Sequence, residues 1–251
     1  MRKTLLLLGV LLPLSGCLDY EEILTLAADG SGSVKVDFTV DLAFEAKLKA
    51  LMKSPEPEAT PGAPDDVDDP YKMMVSKQEV LKYVQGVDGV TVKECTAEEP
   101  SPGKHHVKLL VEFKSLDALR KTNAFRDGAR ELTFTAKDDK VEAVYKVDAK
   151  ILGSLLPGPA GEDEQEKKAR KIVDEATLDA GAHFTVVFPA KPLSTTGKAD
   201  EKEDKAAVWT VPKKDEKAHA ALAKDPIVMK AELAKKDAAK FLAPEKKKDD
   251  K

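Results

Sequence analysis

The sequence predicts an α+β domain in which antiparallel β-hairpins pack with helices on one face. Apolar residues alternate with polar ones in several segments, most clearly over residues 33–40, where Val34 and every second residue after it is apolar. Between these segments lie stretches with helical spacing, and one of them begins with the capping box Ser76-Lys77-Gln78-Glu79. We expect about eight strands in these hairpins. Because a hairpin with one apolar face needs that face covered, we expect the helices to pack on it.

The first sixteen residues have the layout of a secretory signal. Arg2 and Lys3 form a positively charged start, and a mostly apolar run from Leu5 to Leu14 follows. This run is about ten residues long, roughly half of what a helix needs to span a bilayer. The pattern therefore predicts a cleaved signal peptide at residues 1–16.

The next feature is the motif Leu14-Ser15-Gly16-Cys17. It resembles the lipobox of bacterial lipoproteins, and the resemblance implies cleavage before Cys17 and lipidation of the Cys17 thiol by a diacylglyceryl group carrying chains such as palmitate. Two or three acyl chains anchor a protein stably in a membrane. In that class an Asp after the cysteine retains many proteins at the inner membrane, so Leu18 favours the periplasmic face of an outer membrane in a diderm. The alternative is a secreted protein with a chance cysteine.

Composition narrows the choice of partner. Of 251 residues, 45 are acidic and 41 basic; without Arg2 and Lys3 the net charge is 39 − 45 = −6. An acidic balance with only 5% aromatic residues argues against nucleic acid as a partner. Once Cys17 is lipidated, Cys95 has no intramolecular disulfide partner, so it is either a small buried residue or a reactive thiol.

The first half of the mature chain gives these predicted elements in order: a strand at 20–27, a tight turn at 29–32, a strand at 33–40, a helix at 41–52, a Pro-rich acidic loop at 53–70 and a helix at 76–85. The acidic cluster Asp65–Asp69 lacks the spacing of a calcium loop, so we expect a solvated loop. Because the first strand follows Cys17 almost at once, the anchor should hold the domain close to the bilayer.

The second half gives strands at 90–95 and 107–113, a helix at 115–125, a hairpin of 130–136 with 140–148, a loop at 151–161, a helix at 162–178 and a hairpin of 183–188 with 206–211 whose tip is exposed. The chain thus divides into a signal (1–16), an anchored α+β domain (17–212) and a charged tail (213–251) that is helical or partly disordered. Asp225-Pro226 suits a helix start, and the tail helix should bury one face. That face would consist of Ile227, Ala234, Ala238 and Phe241.

The order of elements after Cys17 also resembles the LppM-like lipoprotein domains. Three short features carry this resemblance: the Asp29-Gly30-Ser31-Gly32 hairpin, the Phe113-Lys114-Ser115-Leu116 junction, and the closing strands His183–Pro189 and Trp209–Val211. It implies an envelope-exposed α+β domain over residues 18–212, with no catalytic residues to transfer. Members with a C-terminal membrane helix differ from this chain, which ends in lysines.

The sequence contains no motif typical of an enzyme, a cofactor site or a metal site. His105 and His106 are adjacent at the entry of a strand, so they should point to opposite faces, and neither His183 nor His219 completes a metal motif. No nucleophile elbow or phosphate loop occurs. The single tryptophan, Trp209, either packs in the core or forms a ligand platform.

These observations predict a non-enzymatic binding or assembly module on the cell envelope, with membrane lipid and another envelope protein as partners. The alternative is a carrier that holds a lipid or other hydrophobic ligand in a groove between sheet and helices; an unrecognised hydrolase is the third possibility. The tail lysines either attract anionic lipid or only keep the tail soluble. They are Lys230, Lys235, Lys236, Lys240 and Lys246 to Lys248.

Overall fold

The computed structural model describes residues 18–41, 76–126, 128, 130–148, 167–168, 171, 179–222 and 225–242. These residues form two sheets and several short helices, which confirms the predicted α+β class. The predicted signal, Cys17, the helix at 41–52 and the loops at 53–70 and 151–161 lie outside the described residues, apart from Asp41. Of the helix predicted at 162–178, only 167–168 and 171 are described, and they are helical.

Eleven strands occur in the described residues. They are β1 (Leu18–Leu26), β2 (Gly32–Asp41), β3 (Val90–Ser101), β4 (Lys104–Phe113), β5 (Arg130–Lys137), β6 (Lys140–Val147), β7 (Gly181–Val187), β8 (Ser194–Thr195), β9 (Lys198–Ala199), β10 (Ala206–Val211) and β11 (Ile227–Ala234). The larger sheet has seven strands in the order β3-β4-β2-β1-β7-β10-β9, and the smaller sheet has four in the order β5-β6-β11-β8. All three predicted hairpins, and the strands predicted at 90–95 and 107–113, are present.

The centre of the larger sheet is β1, which pairs antiparallel with β2 and parallel with β7. The turn between β1 and β2 forms as predicted: Asp29 Oδ1 accepts a hydrogen bond from the Ser31 N–H at 2.9 Å, and Gly30 adopts a φ of +90°. Gly32 then begins β2 beside the Phe113 ring. A Cβ at that position would lie 2.5 Å from the ring, so only glycine fits without displacing Phe113.

The smaller sheet corrects the prediction for the tail. The segment expected to form a helix from Asp225-Pro226 onward is the strand β11, which pairs antiparallel with β6 over its whole length and with β8. Met229, Ala231 and Leu233 face inward and are buried, so β11 is part of the core. The local Lys/Ala composition favours helix, but this period-2 burial against β6 favours strand.

The two sheets face each other through their apolar sides. On β1, alternate side chains from Leu18 to Leu26 point inward and are buried. On the smaller sheet the inward set includes Val141, Ala143 and Tyr145 of β6 and the buried residues of β11. The core therefore lies between two sheets, so the smaller sheet covers much of the face that was expected to be covered by helices.

Short helices accompany this core, and the three that contact β3, β4 or β5 lie along one side of it. The described ones are α1 (Lys77–Lys82), α2 (Leu116–Arg120), α3 (Asn123–Arg126), α4 (Glu216–Leu222) and α5 (Lys235–Ala238), with a 3-10 turn at Ala239–Phe241. Ser76 caps α1 as predicted, and Ser115 caps α2; each side chain accepts a hydrogen bond from a backbone N–H at 3.2 Å. The single helix predicted at 115–125 is two helices, α2 and α3. The 3-10 turn places Phe241 against Phe134 of β5, with ring centroids 4.8 Å apart.

The opposite side is closed by the segment that carries β8 and β9. Here β8 pairs with β11 of the smaller sheet, and β9 pairs with β10 of the larger sheet, so this segment joins the two sheets at their edges. Trp209 lies beneath it, packs against the core and donates its Nε1–H to Thr196 Oγ1 at 3.1 Å. A Cβ on Gly197 would lie 2.6 Å from the Trp209 ring. Of the two roles open for Trp209, packing is therefore the one it performs.

Candidate functional site

A buried polar cluster lies between the two sheets and is the most unusual chemical feature of the described residues. Its centre is Glu22 of β1, which is 1% exposed. Tyr20 lies two residues earlier on the same face of β1, while Arg130 and Tyr145 come from β5 and β6 of the smaller sheet. Because β1 lies opposite these strands, the cluster connects the two halves of the core.

The Glu22 carboxylate accepts hydrogen bonds from all three partners. Arg130 donates from Nη2 to Glu22 Oε2 at 2.7 Å and from Nε to the same oxygen at 3.1 Å. The hydroxyls of Tyr20 and Tyr145 donate to Oε2 and Oε1, respectively. Arg130 Nη2 also donates to the Tyr20 hydroxyl at 2.7 Å, which joins the four side chains into one network.

The network holds Glu22 in its charged form. Burial disfavours the carboxylate, but the charge of Arg130 and the hydrogen bonds from Arg130 and both tyrosines outweigh it, so the pKa of Glu22 is lowered. Burial also opposes the charge of Arg130, yet the nearby Glu22 carboxylate raises the Arg130 pKa. Burial, reinforced by the Glu22 charge, raises the pKa of Tyr145. The cluster is therefore one internal ion pair with two neutral tyrosine donors.

This arrangement suits a structural connection between the two sheets. A carboxylate accepts about four hydrogen bonds, and those of Glu22 are taken up by the guanidinium and the two hydroxyls. Its lowered pKa also makes it a weak base. The chemistry of these residues therefore favours mechanical connection of β1 to β5 and β6 over proton transfer.

Sequence reasoning missed this cluster, although a signal was present. Glu21-Glu22 looks like one of many acidic pairs in a chain with 45 acidic residues. However, Glu22 is in phase with the inward side chains Leu18, Tyr20 and Leu24, so strict alternation places it in the core. A charged residue at a core position requires a partner, and Arg130 begins a strand whose next inward residue is Leu132.

The predicted site residues lie in separate places. Cys17, the predicted lipidation site, is outside the described residues. Cys95 is 8% exposed on β3, as expected for the first of its two alternatives, a small buried residue, and burial raises its pKa. His106 lies on the outer face of the larger sheet and contacts Asp37 Oδ1 through Nε2 at 2.7 Å, whereas His105 is in register with the buried Val40.

The remaining histidines are also apart from one another. His183 Nδ1 lies 3.3 Å from the Thr210 hydroxyl, and His219 is on α4. Across the part of the chain that the structure describes, no three His, Cys, Asp or Glu side chains are grouped to hold a metal ion. None of the helices in that part is long and apolar enough to cross a membrane.

The described tail lysines lie on β11 and on the short helical segment that follows it. Lys230 belongs to β11, and Lys235 donates through Nζ to the Asp138 carbonyl at 3.3 Å. Lys236 and Lys240 line an open surface cleft of about 310 Å³ next to the β1–β2 turn, with Ala28 and Pro189 on its other side. The described tail residues up to 242 are thus part of the folded domain, while Lys246 to Lys248 lie outside the described residues.

Similarity to known proteins is found among solved structures. No protein-family model matches the chain, and no curated protein matches it. The chain is similar to the NMR structure of the folded domain of LppM from Mycobacterium tuberculosis. The two share 17% identity over 88% of this chain and 91% of that domain, with a TM-score of 0.38.

Proposed function

We propose that this protein is a lipid-anchored lipoprotein of the cell envelope that acts as a binding or assembly module and has no catalytic activity. One observation carries the proposal: the motif Leu14-Ser15-Gly16-Cys17 immediately precedes β1. A lipid on Cys17 would join the bilayer directly to the central strand of the larger sheet. Leu18 after the cysteine favours the outer membrane in a diderm.

The Glu22 cluster supports a binding module more than an enzyme. It is the one buried ionic network found in the described residues, and its groups are engaged with one another. A rigid connection between two sheets gives a stable platform on which surface loops can bind a partner. Envelope proteins and membrane lipid are the partners that this proposal names.

Replacement of the lipidated cysteine tests the anchor. Cys17→Ser should move the protein from the membrane fraction to the soluble fraction, and it should abolish incorporation of an alkyne-tagged palmitate supplied to the cells. Cys95→Ser is the matched control, because Cys95 is buried and is not part of the signal motif; it should leave both readouts unchanged. Membrane retention of Cys17→Ser would contradict the proposal.

A second candidate, a carrier of a lipid or another hydrophobic ligand, is favoured by a different observation. The larger sheet is three strands wider than the smaller one, and Val36, Phe38 and Ala97 on its inner side are only partly buried. An acyl chain could lie along these side chains. Native mass spectrometry of the detergent-free Cys17→Ser protein would detect such a ligand, and a mass equal to that of the bare chain would count against a carrier.

A further inference from the structure

We propose that the protein stands on the bilayer on one defined end, with the strand axis of the larger sheet pointing away from the membrane. This inference rests on the proposed lipid anchor at Cys17 and adds the surface that the bilayer contacts. We call this surface the anchor-end face. It consists of Asp41, Ser101 to Lys104, Asp179 to Gly181 and Pro212 to Lys214.

The absence of a linker in front of β1 is the first argument. Leu18 is the first residue of β1, is 1% exposed and pairs with Val40. Consecutive Cα atoms are about 3.8 Å apart, so the lipidated residue lies within one residue of the sheet. The lipid therefore cannot move far from this end of β1.

Strand register shows which other residues share that end. Val40, the partner of Leu18, is in turn opposite His105, which brings the β3–β4 turn and Lys104 to the same level. On the other side, Asp19 is in register with Gly181, and Val211 is in register with Ala182. The ends of six neighbouring strands thus form one surface around the anchor.

The position of β1 within the sheet disfavours a sideways tilt. β1 is the fourth of seven strands, with three on each side, so the anchor emerges from the middle of the sheet end. The outer faces of both sheets carry charged side chains, among them the pairs Lys146–Glu131 and Lys93–Glu112. Laying either face on the bilayer would desolvate these pairs, whereas standing on the anchor-end face leaves the pairs of both outer faces in water.

The anchor-end face and the adjoining Asp19 of β1 together carry three acidic and three basic side chains. Lys213 Nζ lies 2.5 Å from Asp19 Oδ1, Lys214 Nζ lies 3.7 Å from Asp179 Oδ1, and Lys104 is in register with Asp41. This face therefore fits a lipid headgroup layer of either charge and gains little from anionic lipid. We conclude that the covalent anchor, and not electrostatic attraction, sets the orientation.

The opposite pole would lie well away from the membrane. Nine residues of β1 rise by roughly 26 Å at about 3.3 Å per residue. The β1–β2 turn and the cleft beside Lys236 and Lys240 are at that pole, as is the β5–β6 turn, because Lys235 N–H donates to the Asp139 carbonyl at 2.9 Å. The surface available to soluble envelope partners is thus the far pole.

Fluorescence quenching on the full lipidated protein tests this orientation. One variant carries a fluorophore at Lys104→Cys and the other at Asp139→Cys, both exposed positions, while the buried Cys95 remains unlabelled. The proteins are reconstituted in phosphatidylcholine vesicles containing a lipid with a nitroxide on its headgroup. We expect quenching at position 104 and little at position 139, with the same contrast after raising the salt or adding phosphatidylglycerol.

A linker variant provides the matched control. Inserting about ten Gly and Ser residues between Cys17 and Leu18 adds a mean reach of about 17 Å, so the contrast between the two positions should fall while the protein stays on the vesicles. Equal quenching at both positions without the linker, or quenching at neither on vesicle-bound protein, would overturn the inference. Protein that does not attach to vesicles at all would instead refute the lipid anchor, and the inference with it.

Discussion

Two adjacent residues of β5, Arg130 and Glu131, form ion pairs of very different character. Arg130 points inward to Glu22, and these side chains are 12% and 1% exposed. The next residue, Glu131, points outward to Lys146 at 2.9 Å, and these side chains are 52% and 44% exposed. One strand thus contributes a residue to a desolvated pair and the next residue to a solvated pair. The contrast teaches that burial, more than N–O distance, decides how much an ion pair matters to the fold.

The largest expected effect is that of Glu22→Gln. The variant leaves the Arg130 charge buried without its counterion, and breaking a buried pair in this way costs about 3–5 kcal/mol. Urea unfolding of the soluble Cys17→Ser form would measure this loss. The matched control, Glu131→Gln on the outer face, should change stability by less than about 1 kcal/mol. Equal losses of stability for the two variants would show that burial does not distinguish the two ion pairs.

Replacing both buried partners sharpens the same comparison. The double variant Glu22→Leu, Arg130→Met removes both charges and keeps similar volumes, so it should recover most of the stability that Glu22→Gln loses. The two tyrosine hydroxyls would then lack their acceptor, and each unsatisfied group costs about 1–3 kcal/mol. Adding Tyr145→Phe and Tyr20→Phe should remove this remaining loss. A double variant no more stable than Glu22→Gln would contradict this account.

The next largest effect should come from acid, which removes the folding stability that the buried Glu22–Arg130 pair contributes. The pKa of Glu22 in the fold is below its ordinary value of 4.5, so below about pH 4.5 the unfolded chain binds a proton that the folded chain does not. The stability from Glu22 is complete above that pH and is lost as pH falls through the folded pKa. Asp29 and Glu232 also have lowered pKa values, through hydrogen bonds from Ser31 and Lys140, respectively.

Urea midpoints from pH 6 to pH 3 would measure this loss. The variant Glu22→Leu, Arg130→Met retains Asp29 and Glu232, so the difference between its pH profile and that of the native residues isolates Glu22. We expect the steeper acid loss with Glu22 present. Parallel profiles would show that the buried carboxylate has the same pKa in the folded and unfolded chains.

Tyr145→Phe should have an intermediate effect. It removes one donor to the buried carboxylate and keeps the ring that stacks on Phe125, so a loss of about 1–3 kcal/mol is expected. Tyr83 is 57% exposed, and Tyr83→Phe should change stability by less than about 0.5 kcal/mol. Thermal unfolding of both variants would rank them, and a neutral Tyr145→Phe would show that Arg130 and Tyr20 satisfy Glu22 without Tyr145.

The smallest effect belongs to the outer pair. A double-mutant cycle on Glu131 and Lys146 should give a coupling energy of about 0–1 kcal/mol, and added salt should reduce it. The corresponding cycle on Glu22 and Arg130 should be larger and less sensitive to salt, because burial limits screening. If the outer pair coupled as strongly as the inner one, exposure would not be the deciding variable.

Local patterns in the sequence were sufficient for the hairpins. Alternation over Val34–Val40 and over Val141–Val147, with turn residues between paired segments, predicted strands that the structure contains. Capping serines similarly marked the starts of α1 and α2. These signals are local, because a turn and its two strands are neighbours in sequence.

Pairing between strands that are distant in sequence could not be predicted, because these signals are local. The register of Asp19 with Gly181 joins residues 162 positions apart, since 181 − 19 = 162, and no local pattern encodes it. At β11, Met229, Ala231 and Leu233 alternate, but the strand is recognisable only once β6 is known to lie beside it. Alternation along β1 marks Glu22 as an inward residue, but its pairing with Arg130, 108 residues away, is not encoded locally.

The central position of β1 bears on how an exported chain would fold. Such a chain emerges N-terminus first, so β1 and its lipid would reach the membrane before β7 and β11 have been delivered. Until they arrive, one edge of β1 has no partner, and an open edge invites association with other chains. With so many distant contacts, folding should be slow and should begin late in delivery. A holding chaperone at the membrane surface would therefore be most useful to this protein during that interval.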